Sequence, residues 1–414
     1  SSQRRTRRRD GTDSSMNVAK AINLDDIAEL ARRKLPRIAF DFIDGGVDAE
    51  TGLDRNRAAF ARRTLLPRYL VDVASRHQRV TLFGEEYDSP FGISPMGIAG
   101  FFLPGADLML ARAAARRNVP YLMSSASCDS IEAAMEAAPI TTWFQVYGTR
   151  DPAITDDMVR RARALGVRVL VLTVDTPVIG KRERNVRNGF TRPMKMTPEV
   201  ILQGLSRPGW TMSYLRNGGI PMMQNWRPYV GEDATADQVA DLYGSQTPAP
   251  GQTWEVLKRV RRDWQGPLVV KGVLHPEDAV RCLDIGADGL IISNHGARQL
   301  DTAPASLDML PRIAEATMGR MELLIDSGIR RGSDIAVALC LGAKAALVGR
   351  PAMFGVAAGG EEGAARVLEI LRSELDLVMG MMGWTDIGCA GTASVLETTG
   401  GAAPNWPSVE RQGS

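Results

Sequence analysis

The stretch SNHGARQLD, residues 293–301, places a histidine, an arginine and an aspartate at the end of the apolar run GLIISN. The usual imidazole pKa, about 6.5, suits His295 to proton transfer near neutral pH. Arg298, three residues later, can hold an anion beside that ring. A lone pair of residues at this spacing is more often structural, with the histidine at the end of a strand and the arginine in a surface ion pair. The catalytic interpretation therefore depends on what the rest of the chain brings to the same place.

Eight apolar strand candidates alternate for most of the chain with amphipathic helical segments, a pattern that predicts parallel βα units. They cover residues 91–95, 120–125, 142–147, 167–175, 267–272, 289–294, 322–328 and 345–350. Eight such units predict an α/β fold of the TIM (β/α)8 barrel type, whose active sites lie at the carboxyl ends of the strands. A doubly wound sheet is the structural alternative, but no GxGxxG motif follows the first strand.

Three further elements frame the barrel. Residues 24–46 have helical apolar spacing and end in a double glycine, which predicts an N-terminal helical cap. Residues 78–87 alternate like a short hairpin, and residues 363–383 have the periodicity of a closing helix.

About ninety residues separate the fourth and fifth strands, more than one helix requires, so we expect an insertion over residues 185–255. Its part at residues 190–250 mixes Met, Trp and Arg and has three interpretations: a lid, a partner surface or a monotopic membrane patch. A plain excursion that packs on its own barrel is favoured over these. We expect residues 16–400 to form a single domain, with a disordered basic tail at 1–15 and a C-terminal tail at 401–414.

Composition excludes several classes of protein. Fifty basic and 48 acidic residues give a net charge of +2, which offers no argument for a nucleic-acid partner. Four separated cysteines without a CxxC pair are typical of reduced cytosolic thiols, and three dispersed histidines predict no metal site. No apolar run of about eighteen residues and no export signal are present, so we expect a cytoplasmic protein.

The ends of the other predicted strands are also polar. Each such residue alone has an ordinary structural explanation, as a helix cap, a turn or a core ion pair. In a barrel, however, they meet at one mouth, and glycines and arginines follow strands seven and eight, where TIM barrels often bind phosphate. The set therefore predicts a phosphorylated cofactor beneath a small anionic substrate. Its members besides His295 and Arg298 are Gln145, Tyr147, Thr173, Asp175, Lys271, Ser293, Gly328, Arg330, Gly349 and Arg350.

Five motifs in order, WFQVY, LTVDTP, VVKG, SNHGARQLD and IDSGIRRGSD, carry a strong resemblance to a known family. From about residue 20 to residue 390 the chain resembles the FMN-dependent α-hydroxy acid dehydrogenases and oxidases, which include glycolate oxidase, L-lactate dehydrogenase and mandelate dehydrogenase. The resemblance implies an enzyme that oxidises an L-2-hydroxy acid to a 2-oxo acid and passes the electrons to FMN.

The resemblance also implies roles for individual residues. His295 is similar to the family's base, and Asp175 to the carboxylate that stabilises its imidazolium form. Arg182 and Arg298 resemble the pair that grips the substrate carboxylate, and Tyr147 the phenol that contacts the substrate. Lys271 resembles the lysine beside the flavin ring. The remaining implied FMN contacts are Pro95, Met96, Gly97, Ser124, Gln145, Thr173 and Ser293 for the ring and ribityl chain, and Asp326, Ser327, Gly328, Ile329, Arg330, Gly349 and Arg350 for the ribityl chain and phosphate.

Two positions depart from the family pattern. Phe42 stands where a second carboxylate-binding tyrosine is usual, and Ala126 stands where glycolate oxidase has tryptophan. The small residue favours a bulky or aryl acid of the mandelate kind, with a lactate-like acid as the other choice. An oxidase that uses oxygen, or a divergent FMN barrel acting on a substrate such as a modified peptide, is the alternative.

The long insertion resembles the membrane-associated dehydrogenase branch. It implies a quinone or membrane chain, rather than oxygen, as electron acceptor, and peripheral contact with the inner face of the membrane. We also expect a homo-oligomer, a tetramer.

Overall fold

The amino-terminal part of the chain forms three helices, α1 (Leu24–Lys34), α2 (Arg37–Asp44) and α3 (Thr51–Ala61). Asn23 caps α1 by accepting a hydrogen bond from the Asp26 N–H at 2.8 Å. The predicted cap over residues 24–46 is therefore two helices. The break falls at Pro36, because proline has no N–H to donate and pushes the preceding residue into extended backbone.

Three short strands follow, β1 (Arg63–Leu65), β2 (Val80–Leu82) and β3 (Glu85–Tyr87). Strands β2 and β3 pair antiparallel, which confirms the predicted hairpin. The Trp143 indole N–H, inside the barrel, donates to the Tyr87 hydroxyl at 3.0 Å. The hairpin thus packs against the residues that fill the barrel interior.

Eight parallel strands close the barrel, in which the strands that begin at residues 322, 345, 91, 121, 142, 170, 268 and 289 follow one another around the ring. All eight coincide with predicted strands, so the predicted TIM barrel is confirmed. Most are shorter than predicted, because the polar ends of the predicted runs lie in loops above the barrel. The strands are β4 (Phe91–Ile93), β5 (Tyr121–Ser124), β6 (Thr142–Tyr147), β7 (Leu170–Thr173), β8 (Leu268–Val273), β9 (Gly289–Ile292), β10 (Glu322–Ile325) and β11 (Ala345–Val348).

Helices surround the barrel, and the described part of the insertion between β7 and β8 adds further helices to them. In chain order the helices are α4 (Ala106–Arg116), α5 (Ile131–Ala137), α6 (Pro152–Ala164), α7 (Glu183–Arg187), α8 (Pro198–Leu205), α9 (Pro208–Arg216), α10 (Ala236–Gln246), α11 (Trp254–Asp263), α12 (Pro276–Ile285), α13 (Ser306–Thr317), α14 (Gly332–Cys340) and α15 (Arg350–Met382). The last includes the predicted closing helix and kinks at Gly359 and Gly360. A final strand, β12 (Val395–Glu397), pairs with β1.

These descriptions come from a computed structural model that describes residues 17–190 and 197–398. The tails expected at 1–15 and 401–414 lie outside the described residues.

The insertion packs on the barrel and also leaves an apolar surface. Its Trp210 indole N–H donates to the Phe101 carbonyl at 3.1 Å, and the Gln203 side chain accepts from the Ile38 N–H at 2.8 Å. The opposite side of α8 and α9 exposes apolar side chains, namely Ile201, Leu202, Leu205, Met212 and Leu215. Across the described ranges, no helix has the length and apolar character needed to cross a membrane.

Candidate active site

His295 and Asp175 meet above the barrel, although 120 positions separate them in the chain. The imidazole Nδ1 lies 2.9 Å from the Asp175 Oδ1, and the His295 N–H donates to the Ser293 hydroxyl at 2.9 Å. His295 has a left-handed backbone with φ of 57°, a conformation that costs energy in a residue with a side chain. Gly272 lies against Asp175, since a Cβ at that glycine would fall 2.5 Å from the Asp175 side chain. The structure therefore fixes one ring nitrogen of the imidazole against a carboxylate.

Two arginines and a tyrosine line the same cavity as His295: Arg182, Arg298 and Tyr147. The Arg298 Nη1 donates to the Gly45 carbonyl at 2.6 Å. Burial, and then the nearby Arg182 and Arg350, lower the pKa of Arg298 well below its usual range. Burial raises the pKa of Tyr147 above its ordinary value. The buried positive charge of Arg298 beside this cavity fits an anionic ligand, because hydrogen bonds between a guanidinium and an anion are strong.

Lys271 is buried at the centre of the site, where its Nζ lies 3.1 Å from the Asp326 Oδ2 and 2.9 Å from the Ser293 Oγ. Burial alone would lower the pKa of Lys271, but Asp326 and Asp175 outweigh it and the pKa is raised. Asp326 also accepts hydrogen bonds from the hydroxyls of Ser94 and Ser327. Its own pKa is lowered, because the ammonium and the hydroxyls outweigh the cost of burial. Both groups are therefore charged at neutral pH.

Four of the predicted cofactor residues are buried at strand ends below the cavity rather than in its wall: Ser124, Gln145, Thr173 and Ser293. The Ser124 hydroxyl donates to the Gln145 Oε1 at 2.9 Å. Among the described residues, the Gln145 Nε2 and the Thr173 hydroxyl have no hydrogen-bond partner. Buried polar groups are normally paired, so these two atoms point to a ligand with matching polar atoms.

The other predicted cofactor and substrate residues line one shared cavity. At one end, Arg330 and Arg350 lie in the wall with Gly328 and Gly349. Burial lowers the pKa of each arginine to about 10. The Arg350 Nη2 donates to the Gly45 and Gly296 carbonyls at 2.8 and 2.9 Å. The remaining predicted residues in the wall are Phe42, Pro95, Met96, Gly97, Ala126, Asp326, Ser327 and Ile329.

Sequence reasoning missed several residues of this wall. Tyr243 reaches it from α10 in the insertion, and Phe102 from the loop after β4. Phe102 packs against Phe42, with 5.9 Å between ring centres. The aromatic content of the insertion is the only sequence signal for Tyr243, since nothing in the chain shows where α10 folds back. The other missed residues are Ile43, Ser94, Ile98, Leu347, Val348 and Met353.

A family model for FMN-dependent dehydrogenases matches residues 31–396. The L-lactate dehydrogenase of Caulobacter sp. (strain K31) is 40% identical over 360 residues, covering 86% of this chain and 94% of that protein. The (S)-mandelate dehydrogenase of Pseudomonas putida is 39% identical over 365 residues, covering 88% and 91%. A crystal structure of the monotopic membrane protein (S)-mandelate dehydrogenase superposes with a TM-score of 0.87 at 37% identity, covering 91% of this chain and 100% of that one. This chain therefore belongs to the family of FMN-dependent α-hydroxy acid dehydrogenases.

Proposed function

We propose that the cavity binds FMN and a 2-hydroxy acid, and that His295 begins the oxidation of this acid to the 2-oxo acid. The observation that carries the proposal is the His295–Asp175 contact of 2.9 Å, because His295 lines a cavity that Arg182 and Arg298 also line. A base with a carboxylate partner next to two cations is the arrangement that proton removal from an anionic acid requires. The relatives named for L-lactate and (S)-mandelate dehydrogenation support this chemistry.

The residues below the cavity fit FMN. The unpaired Gln145 Nε2 and Thr173 hydroxyl match the hydrogen-bonding edge of a flavin ring. The Lys271 ammonium would lie at that ring and favour negative charge on it. At the other end, Arg330 and Arg350 would hold the phosphate together with backbone N–H groups at Gly328 and Gly349.

Bound FMN would supply the two-electron acceptor that no side chain provides. His295 would take a proton from the substrate, and Asp175 would stabilise the resulting imidazolium through Nδ1. Arg182 and Arg298 would hold the substrate carboxylate, and Tyr147 would orient the hydroxyl end. Charge-assisted hydrogen bonds of this kind are stronger than neutral ones, so the two arginines provide most of the substrate orientation.

Anaerobic mixing of the purified holoenzyme with hydroxy acids tests this proposal. We expect lactate, mandelate or a related acid to bleach the flavin absorbance. The His295→Asn variant should retain FMN and bleach about a hundredfold to ten-thousandfold more slowly. If none of a panel of glycolate, lactate, mandelate and hydroxymandelate bleaches the flavin, the proposal is wrong. If His295→Asn bleaches at the normal rate, the base is another residue.

We further propose that the substrate is bulky, of the mandelate kind, with a lactate-like acid as the second choice. Ala126 lines the cavity, and its Cβ lies 3.1 Å from the position that a Cβ on Gly97 would take. The Ala126→Leu variant should therefore fill space that an aryl group needs. We expect it to lower kcat/KM for mandelate much more than for lactate. An equal loss for both acids would contradict a role in selecting size.

The apolar face of α8 and α9 supports a third part of the proposal, peripheral contact with the membrane and electron transfer to a membrane quinone. A solved relative is described as a monotopic membrane protein. Replacing the exposed Leu202 and Leu205 with aspartate should abolish sedimentation with phospholipid vesicles, because the face would no longer be apolar. The Leu300→Asp variant, at an exposed leucine outside the insertion, is the control. Unchanged sedimentation of the double variant would exclude this surface.

A further inference from the structure

A second cavity lies between α9 of the insertion and the loop after β4. Phe102 lines this cavity and the active-site cavity, so its ring forms part of the wall between them. The residues of the proposed hydroxy-acid chemistry, such as His295 and Arg298, line the first cavity and not the second. The second cavity is therefore a neighbouring space with a different lining.

A continuous series of aromatic rings joins the two cavities. Between ring centres, Phe42 lies 5.9 Å from Phe102, Phe102 lies 5.5 Å from Phe101, and Phe101 lies 5.6 Å from Trp210. Trp210 and Tyr214 stack with 5.0 Å between centres and an angle of 16° between planes. These spacings are those of rings in direct contact. A planar group held against Trp210 or Phe101 would thus be in contact with rings that extend into the active-site cavity.

The lining also includes apolar residues, such as Ile220 and Met222, and polar side chains. Ser213 contributes a hydroxyl, Asn217 and Gln224 contribute amides, and Asp129 contributes a carboxyl. Burial raises the pKa of the Asp129 carboxyl above its ordinary value. Apolar and aromatic walls with a few polar groups are typical of small-molecule sites, and a flat ring with oxygen atoms at its edge fits such a lining.

Helix α9 also separates this cavity from the apolar surface of the insertion. Trp210 and Tyr214 lie on its inner side, whereas Met212 and Leu215 are 51% and 63% exposed on the other side. The neighbouring Leu205 on α8 is 68% exposed. A ligand with a lipid-soluble tail fits this position, because the tail can remain among apolar groups while the ring enters the cavity.

We propose that the second cavity binds the ring of a quinone, which accepts the electrons of the oxidation. This inference rests on the proposed function. The balanced reaction converts one 2-hydroxy acid and one quinone into one 2-oxo acid and one quinol. The two electrons and two protons lost by the acid equal those gained by the quinone. Phe102 and Phe101 separate the two reactants, so the hydroxy acid and the quinone occupy different spaces.

Binding of decylubiquinone to the oxidised holoenzyme tests the site without any hydroxy acid. The Ser213→Phe variant places a large ring in the cavity and should weaken binding about tenfold or more. The matched variant Ser245→Phe puts the same ring at an exposed position on α10, and its affinity should equal that of the unmodified protein. Equal affinity for Ser213→Phe and Ser245→Phe would overturn the proposal.

Photolabelling gives a second test that needs no variant. An azide-bearing ubiquinone analogue should label peptides from residues 100–105 or 208–224, and excess decylubiquinone should prevent this. Labelling confined to other segments would overturn the proposed site. Reoxidation of the reduced flavin by air, without any binding of quinone, would overturn it too. These results are independent of flavin bleaching by hydroxy acids, which tests the proposed function. If the protein binds quinone here but no hydroxy acid bleaches its flavin, the proposed function is wrong and the quinone site still stands.

Discussion

The Arg298 guanidinium lies over the Phe42 ring, with its central carbon 5.2 Å from the ring centre. The same guanidinium donates to the Gly45 carbonyl at 2.6 Å, just beyond the end of α2. A cation is stabilised by an aromatic face and by carbonyls at the end of a helix. Phe42, one of the two positions expected to depart from the family pattern, therefore contacts the arginine that we assign to substrate binding. A substitution at Phe42 should therefore mainly change how the substrate carboxylate is bound.

Restoring a hydroxyl at this position should tighten substrate binding. The Phe42→Tyr variant adds a donor next to Arg298, and a neutral hydrogen bond is worth about 1 kcal/mol, or about fivefold in affinity. We expect KM for the hydroxy acid to fall by about that factor with little change in kcat. Phe40→Tyr is the matched control, because Phe40 stacks on Phe354 and does not line the cavity. An unchanged or higher KM for Phe42→Tyr would show that the ring itself is needed.

Removing the carboxylate charge beside the imidazole should slow the chemistry and spare binding. In Asp175→Asn, the imidazolium loses its negative partner, so kcat should fall by about a hundredfold to ten-thousandfold with FMN content unchanged. Asp156→Asn is a control for loss of a carboxylate, since Asp156 pairs with Arg259 on the outer helices. Rapid-mixing measurement of flavin reduction would check this. Normal reduction by Asp175→Asn would contradict its assigned role.

The buried pair of Lys271 and Asp326 predicts a stability effect as well as a cofactor effect. Lys271→Met leaves the Asp326 carboxylate buried without its cation, which should cost about 3–5 kcal/mol in the free energy of unfolding. The double variant Lys271→Met with Asp326→Asn should recover part of that loss, because neither charge remains. Urea denaturation of the three proteins, with FMN content measured in parallel, provides the comparison. A double variant less stable than Lys271→Met would mean that Asp326 is stabilised by its serine hydroxyls alone.

Asp107 on α4 predicts a pH dependence of stability. Burial, and then the nearby Asp129, raise the pKa of its carboxyl from 3.8 to about 6. Between these two values the folded protein binds the proton more tightly than the unfolded chain does, so this group makes stability fall as pH rises through that window. A shift of about two units corresponds to about 3 kcal/mol.

The Asp107→Asn variant should remove this contribution. Its stability relative to the unmodified protein should therefore increase between about pH 4 and about pH 7. Urea unfolding at several pH values would measure the difference, in which the titration of groups distant from Asp107 cancels. A difference that does not change with pH would contradict a raised pKa at Asp107.

Much of the site could be predicted because its residues lie next to strand ends. Lys271 and Thr173 belong to strands, and Ser293 and Asp175 follow strands within two residues. In a closed parallel barrel, all carboxyl strand ends meet at one mouth, so naming the strands is enough to bring these side chains together. Tyr243 and Phe102 could not be found in this way. They lie in connecting segments whose path depends on packing against the rest of the molecule.

The sequence by itself determined the eight strands, the barrel and the residues at its mouth, because apolar periodicity and strand position are local properties of the chain. Only the tertiary structure decided which of those residues touch. It placed His295 against Asp175 and Arg298 over Phe42, and it left the Gln145 Nε2 without a partner among the described residues. It also folded α9 so that Trp210 meets Phe101, which creates the second cavity. Contacts across such sequence distances depend on how complete helices and loops pack, and no local pattern encodes them.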